Sequence, residues 1–315
     1  MRRFLLHLFA FAVLQAVVGA WVWSQCPTDP DHYMAATIDK HARLRGASRP
    51  RLILVGGSSM GFGLDSRVFL DHGLELAPVN MGLNDGLGLN FMLAETADQL
   101  GVGDVVIVAP ETHLYWHGSR DDTLWAVLEH RPASVACLSG KSARELSDQG
   151  LHFLSRKLRC AAHQVAMDSV LATIYRRGSF DEFGDFVAHR DQPRKSQAPL
   201  EQAWPAANST TYDEAATELG AFATRCRLAR ARCFLAWSPT RREQFERGSA
   251  VFSVLLDTLR SVDLPMLESP DEAIFADEDF FDRGPHLTGE AATRRSTRLA
   301  ERLAEALATP SPPER

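Results

Sequence analysis

Two serines at the end of a glycine turn are the residues of this chain best suited to chemistry. The stretch Leu52-Ile-Leu-Val-Gly-Gly-Ser-Ser-Met-Gly-Phe-Gly-Leu-Asp65 opens as an apolar run, meets Gly56-Gly57, and presents Ser58 and Ser59 directly afterwards. A strand that ends in such a turn is where an α/β enzyme holds a serine nucleophile. A serine hydroxyl is a weak nucleophile until a base takes its proton, and the base is usually a histidine oriented by a carboxylate. Asp282-Arg-Gly-Pro-His286 supplies both groups near the other end of the chain. Gly284-Pro285 forces a turn that folds Asp282 back onto one imidazole nitrogen and leaves the other for a serine. Ser58 is the expected nucleophile and Ser59 the alternative, with His286 as base and Asp282 as its orienting acid. The competing reading has both serines only satisfying N–H groups of the turn.

Size and composition allow a fold that can hold these residues together. The chain has 315 residues, 45% hydrophobic and 23% charged, enough for a large packed core. The net charge of −6, from 34 basic and 40 acidic residues, and the lack of a Lys/Arg-rich run exclude a nucleic-acid surface. Met1-Arg2-Arg3 precedes a long apolar run from Phe4 to Trp23. Twenty helical residues span about 30 Å, the thickness of a bilayer core. Residues 1–24 therefore read as a single-pass inner-membrane anchor. Arg2 and Arg3 stay cytoplasmic and the main domain lies on the periplasmic, extracytoplasmic side. A cleaved signal peptide is the rival reading, although Trp-Val-Trp-Ser-Gln is a poor cleavage site. Cys137 with Cys160 and Cys226 with Cys233 are the sequence-near cysteine pairs, while Cys26 stands apart; spacing alone does not fix connectivity. No spacing of His and Cys suits zinc, and the serine turn is not a P-loop, so no cofactor or metal is expected.

The remaining pattern supplies the scaffold. Residues 25–50 read as a polar tether that includes a short helical stretch. Strands are expected at 51–57, 76–82, 105–110 and 233–239, with a short one at 265–268. Helices are expected at 89–100, 211–230, 243–262 and 288–308, the last capped by Thr288. Strand–helix–strand units with short connections imply a parallel sheet covered on both faces, in one domain over 51–309. A mainly helical insertion fills about 120–210, and 310–315 is a disordered tail. Asp65 and Ser66 read as helix caps. Glu111 and His113 leave the third strand at the cleft edge, as lining or as caps. The loop Ser179–Asp185 with His189 reads either as a substrate-facing flap or as a solvated acidic turn. The tryptophans Trp116, Trp125, Trp204 and Trp237 suit either sugar stacking or the core.

The order of these pieces resembles the SGNH (GDSL-like) hydrolase and acyltransferase superfamily over about 235 residues. Gly56-Gly57-Ser58, Val79-Asn80-Met81-Gly82, Val106-Ile-Val-Ala-Pro-Glu111 and Asp282 to His286 stand in the family's order. Within that superfamily the chain looks most like the membrane-anchored envelope branch, such as the alginate O-acetylation proteins. Three positions depart from the pattern. Gly57 replaces an aspartate, the third block lacks its usual asparagine, and one extra residue separates Asp282 from His286. The resemblance implies a three-layer α/β/α sandwich with a parallel central sheet, flavodoxin-like in type. It implies a serine-dependent esterase or O-acetyltransferase acting on a cell-envelope or exported polysaccharide. Gly82 and the second serine then lend oxyanion N–H groups, and Asn80 or Asn84 supplies the missing donor. The expected partners are the membrane, a polysaccharide or acyl-donor substrate and a membrane acyltransferase. The alternative is a non-catalytic envelope protein of the same fold that binds glycan or scaffolds a polysaccharide-modification complex.

Overall fold

The computed structural model describes residues 2–25, 27–118, 123–138, 143–164, 174–195 and 203–309. The tail at 310–315 and Cys26 lie outside the described residues. An apolar helix α1 (Arg2–Gln25) leads the chain. Its window Arg2–Trp21 has a mean hydropathy of 2.0 and is 0% buried, so it is long and apolar enough to cross a membrane.

The body is α/β. Strands β1 (Arg51–Val55), β2 (Ala77–Asn80), β3 (Val105–Val108) and β4 (Arg232–Leu235) form a sheet in the order β2-β1-β3-β4, every pair parallel. The strands are largely buried, β1 and β3 as runs rich in Leu, Ile and Val, as a sheet covered on both faces requires. Alternate residues feed two cores. Ile53, Val55, Val79, Val106, Val108 and Leu235 belong to one, with Leu89, Phe91, Leu219, Phe222 and Leu255. Leu52, Leu54, Ile107 and Phe234 belong to the other, with Phe69, Leu299 and Leu303. The period of two along a strand thus assigns each residue to its side.

Helix α2 (Ala36–Gly46) precedes β1, and the helices between strands are α3 (Ser58–Phe62), α4 (Ser66–Asp71), α5 (Leu89–Ala97), α6 (Thr123–His130), α7 (Ala143–Gln164) and α8 (Asp213–Leu228). After β4 come β5 (Thr240–Arg241), α9 (Arg242–Arg247), α10 (Ser249–Arg260), β6 (Ile274–Phe275) and α11 (Gly289–Ala308). Thr288 caps α11 through Ala291 N–H and Asp65 caps α4 through Arg67 N–H, as their sequence positions predict. Ser66 is no cap, because its hydroxyl donates to Asp185.

Several expectations are corrected. The helical stretch of the segment read as a tether is α2, but it packs into the body, with Lys40, His41 and Leu44 buried. Lys40 and His41 face inward because they have partners. Lys40 Nζ donates to Asn80 O at 3.0 Å, and His41 Nε2 lies 3.0 Å from Glu95. The single helix expected at 243–262 is two, broken at Gly248 under the Trp204 ring. The short strand at 265–268 is one bridge between Met266 and Leu235. The loop 179–189 is neither flap nor solvated turn. Asp185 and His189 are buried, and its backbone bonds to Gly61 and Asn80. Trp237 lies in the core, with Trp116, Trp125 and Trp204 packed against it. Cys160 is disulfide-bonded while Cys137, Cys226 and Cys233 are free, which removes both sequence-near pairs.

One buried charge pair sets the start of the sheet. Asp104 Oδ1 accepts Arg51 N–H at 3.0 Å and Arg51 Nε at 3.2 Å, and Oδ2 accepts Gly101 N–H at 2.9 Å. Replacing Asp104 with Ala strands a buried guanidinium and two N–H groups, so the full-length chain should lose about 3–5 kcal/mol of stability. Urea unfolding in detergent measures this, and a loss below about 1 kcal/mol would refute it.

Candidate active site

The serine turn is set by lack of space. A Cβ on Gly56 would sit 2.6 Å from Ala109 O, so β1 can pass β3 here only as glycine. Gly57 then caps α3, and Ser58 is its first residue. Ser58 Oγ lies 2.9 Å from His286 Nε2. His286 Nδ1 lies 3.0 Å from both carboxylate oxygens of Asp282. An ionised carboxylate only accepts, so Nδ1 carries the proton and Nε2 is left to accept from the Ser58 hydroxyl. Residues 228 positions apart thus join in one hydrogen-bonded chain.

The loop carrying His286 is held from several sides. Phe281 N–H donates to His286 O at 2.8 Å, and Phe280 bridges Leu287. Arg241, from β5, donates to the carbonyls of Asp282 at 2.6 Å, Gly284 at 3.2 Å and Arg283 at 3.3 Å. Its guanidinium also lies 3.9 Å above the Phe280 ring. Phe62 stacks on the imidazole with centroids 4.0 Å apart and planes at 17°. The ring is therefore fixed in position and plane.

Asp282 is ionised. Burial pushes its carboxyl up, but the His286 hydrogen bond and charge, Gly284 N–H and the Tyr175 hydroxyl outweigh burial and hold it at about 2. Tyr175 Oη donates to Asp282 Oδ2 at 3.0 Å.

Beneath the turn sits a second carboxylate. Glu111, just past β3, is 2% exposed and accepts Ser59 N–H at 2.8 Å and Gly57 N–H at 3.1 Å. Burial and then the charge of Asp85 push this carboxyl above the ordinary carboxylate range, against the pull of Ser59 N–H. Arg295, fully buried on α11, donates to Ser59 O at 3.1 Å and to Trp237 O at 2.9 Å.

Of the sequence-predicted residues, Ser58, His286 and Asp282 come together. Ser59 does not reach His286. It is fully buried, and its Oγ has no hydrogen-bond partner among the described residues. Gly82 packs on the turn, where a Cβ would meet Gly61 N and Met60 Cβ at 2.6 Å. Its N–H donates to Asn80 Oδ1 at 2.9 Å, so the oxyanion role expected for Gly82 has no free donor in this arrangement. Asn80 is buried, with its amide donating to Met60 O and Asp185. Asn84 accepts Gly86 N–H at 2.8 Å and caps a short turn. Sequence reasoning placed Glu111 at the cleft edge, as lining or as a strand-end cap, and missed Tyr175, Arg241, Arg295 and Phe62. Only Glu111, three residues past the apolar strand β3, carried a local signal.

A cavity of about 480 Å³ opens by the His286 loop, lined by Asp85, Glu111, His113, Thr240, Gly284 and Pro285 among others but by none of Ser58, His286 and Asp282. A larger one of about 580 Å³ lies between α2 and residues 177–184, and its lining holds no triad residue either. No protein-family model matches the chain, and no curated protein matches it.

Because the Asp282 carboxyl is depressed, its hydrogen-bonded carboxylate stabilises the fold above about pH 4, and that contribution fades as pH falls through 2. Tyr175→Phe removes one group that lowers it. The Asp282 carboxyl should then titrate higher, by up to about one unit, since one unit equals about 1.4 kcal/mol. Carboxyl-carbon NMR titration reads the change, and an unmoved midpoint would show that the tyrosine does not support Asp282.

Proposed function

We propose that this protein is a serine-dependent esterase or O-acetyltransferase acting on a cell-envelope or exported polysaccharide. It would belong to the SGNH superfamily and share its three-layer α/β/α sandwich. The observation that carries the reading is the unbroken chain from Ser58 Oγ to His286 at 2.9 Å and from His286 to Asp282 at 3.0 Å.

Ser58 Oγ attacks the acyl carbonyl while His286 Nε2 takes its proton. Asp282 stabilises the imidazolium that forms. The new C–O bond turns the carbonyl oxygen into an oxyanion beside Ser58 N–H, which opens α3 and has no acceptor in the preceding turn of helix. Collapse expels the alcohol, protonated by His286, and leaves an ester on Ser58. Water then completes hydrolysis, or a sugar hydroxyl completes transfer, by the same proton path in reverse order. The cavity of about 480 Å³ exceeds the needs of an acetyl group and leaves room for a sugar unit. The helix α1 anchors the domain with Arg2 and Arg3 on the cytoplasmic side, which puts the cleft on the extracytoplasmic side. A membrane acyltransferase that delivers the acyl group is the fitting partner.

One observation favours the non-catalytic, glycan-binding reading. Gly82 N–H and the Asn80 side chain are both engaged, which leaves the oxyanion short of donors. Turnover of p-nitrophenyl acetate separates the two. Ser58→Ala should lower kcat/KM by at least about a hundredfold, and Ser59→Ala should lower it far less. Equal, small effects of both changes would remove the triad from consideration and leave the binding role.

A further inference from the structure

We infer that Glu111 is a positioning residue for Ser58: a carboxylate supplied by β3 acts as the N-terminal cap of α3, in place of a side chain that Gly57 does not have. The inference rests on the nucleophile reading of Ser58 and adds to it a requirement on a residue that touches no substrate.

Gly57 occupies the cap position of α3, where an Asp, Asn, Ser or Thr side chain would ordinarily accept the N–H two or three residues on. The acceptor of that N–H is Glu111. Its Oε1 takes Ser59 N–H at 2.8 Å, the second helical N–H, and Oε2 takes Gly57 N–H at 3.1 Å. Backbone freedom does not explain the glycine. The φ of Gly57 is −88°, outside the left-handed region that favours glycine. Space explains it. A Cβ there would lie 2.6 Å from Glu111 Oε1 and 2.7 Å from Cδ. Position 57 is empty because the carboxylate of residue 111 fills the volume a cap side chain would use.

The consequence falls on Ser58, the residue between the two N–H groups that Glu111 holds. Fixing Gly57 and Ser59 fixes the backbone of Ser58, hence the direction of its Oγ toward His286 and of its N–H toward the cleft. Arg295 secures the same turn through Ser59 O at 3.1 Å on the carbonyl side. With Glu111 removed, two N–H groups beneath the nucleophile lose their acceptor and the turn loses its register with His286.

The geometry predicts that the carboxylate can be moved. An aspartate at 57 can accept Ser59 N–H in the ordinary capping manner, provided Glu111 is truncated to give it room. We would measure p-nitrophenyl acetate turnover and thermal unfolding of the full-length protein in detergent for Glu111→Ala, Gly57→Asp and the double variant. Glu111→Ala should lower kcat by about thirtyfold with KM little changed. Gly57→Asp should be at least as impaired through its collision with Glu111. The double variant should recover to within about fivefold of the parent, a coupling of the kind that touching residues show. A double variant as poor as the product of the two single losses would overturn the inference, as would full turnover in Glu111→Ala. If one variant fails to fold, Glu111→Gln provides the kinetic comparison. It keeps the packing and one acceptor, so a fall in kcat smaller than that of Ser58→Ala is expected, and no fall would overturn the inference. If Ser58→Ala itself leaves turnover intact, the nucleophile reading fails. The capping exchange is then judged by the unfolding temperature alone, where the double variant must exceed both singles.

Discussion

The turn from β1 into Ser58 is wedged between two buried charges of opposite sign, and the rest of the site depends on that wedge. Glu111 takes N–H groups of the turn from one side and Arg295 takes a carbonyl from the other. Neither charge meets the other directly; the peptide groups of the turn lie between them. Charges this deeply buried persist only when hydrogen-bonded, and the backbone of residues 57–59 provides those bonds. The turn is thereby held by groups from β3 and from the last helix.

Topology explains why the carboxylate comes from β3. The chain places β2 on one side of β1 and then crosses to place β3 on the other. In open parallel sheets the crevice at such a reversal, beyond the carboxyl ends of the strands, is where ligands bind. Ser58 follows β1, Glu111 follows β3, and Thr240 lies just past β4, all at that edge. The glycines between them are small because the strand ends come close. Gly56 lets β1 pass Ala109, and Gly82 lets the β2 exit pass Gly61 and Met60. His286 and Asp282 complete the site from a loop outside the four-stranded sheet, which is why that loop needs Arg241, Phe62 and Tyr175 to hold it.

Residues whose chemistry is local were legible in the sequence. Ser58 followed from an apolar run ending in glycines, Asp282 and His286 from a turn that brings them together, and Thr288 from its place before an amphipathic helix. The strands were legible as continuous apolar runs, with ends shorter than drawn because turn residues and strand residues share the same apolar character there. What was not legible depends on partners distant in sequence. Lys40 and His41 look solvent-facing until Asn80 and Glu95 are seen beside them. Arg241 and Arg295 look like surface charges, and only the fold shows that backbone carbonyls surround them. Gly82 was read as an N–H donor. Its glycine is instead required by close packing, and its N–H is spent on its own neighbour, Asn80.

Two carboxylates therefore flank one serine, and their surroundings push them in opposite directions. Asp282 is held at about 2 by groups that donate to it, so it stays charged. Glu111 is pushed upward by burial and by Asp85, with two N–H groups opposing that push. On the proposed reading a full negative charge beneath an oxyanion would be electrostatically adverse, and the site tempers the Glu111 charge in two ways. The charge is spread over N–H groups of the turn, and Arg295 adds a positive charge on the far side of the same peptide planes. Divergent environments for paired carboxylates are a recurring sign of divided labour at a site. Here the division is between an acid bonded to the His286 imidazole and one bonded to the N–H groups of the turn, and only the first would have to lie near reacting atoms under the proposed function.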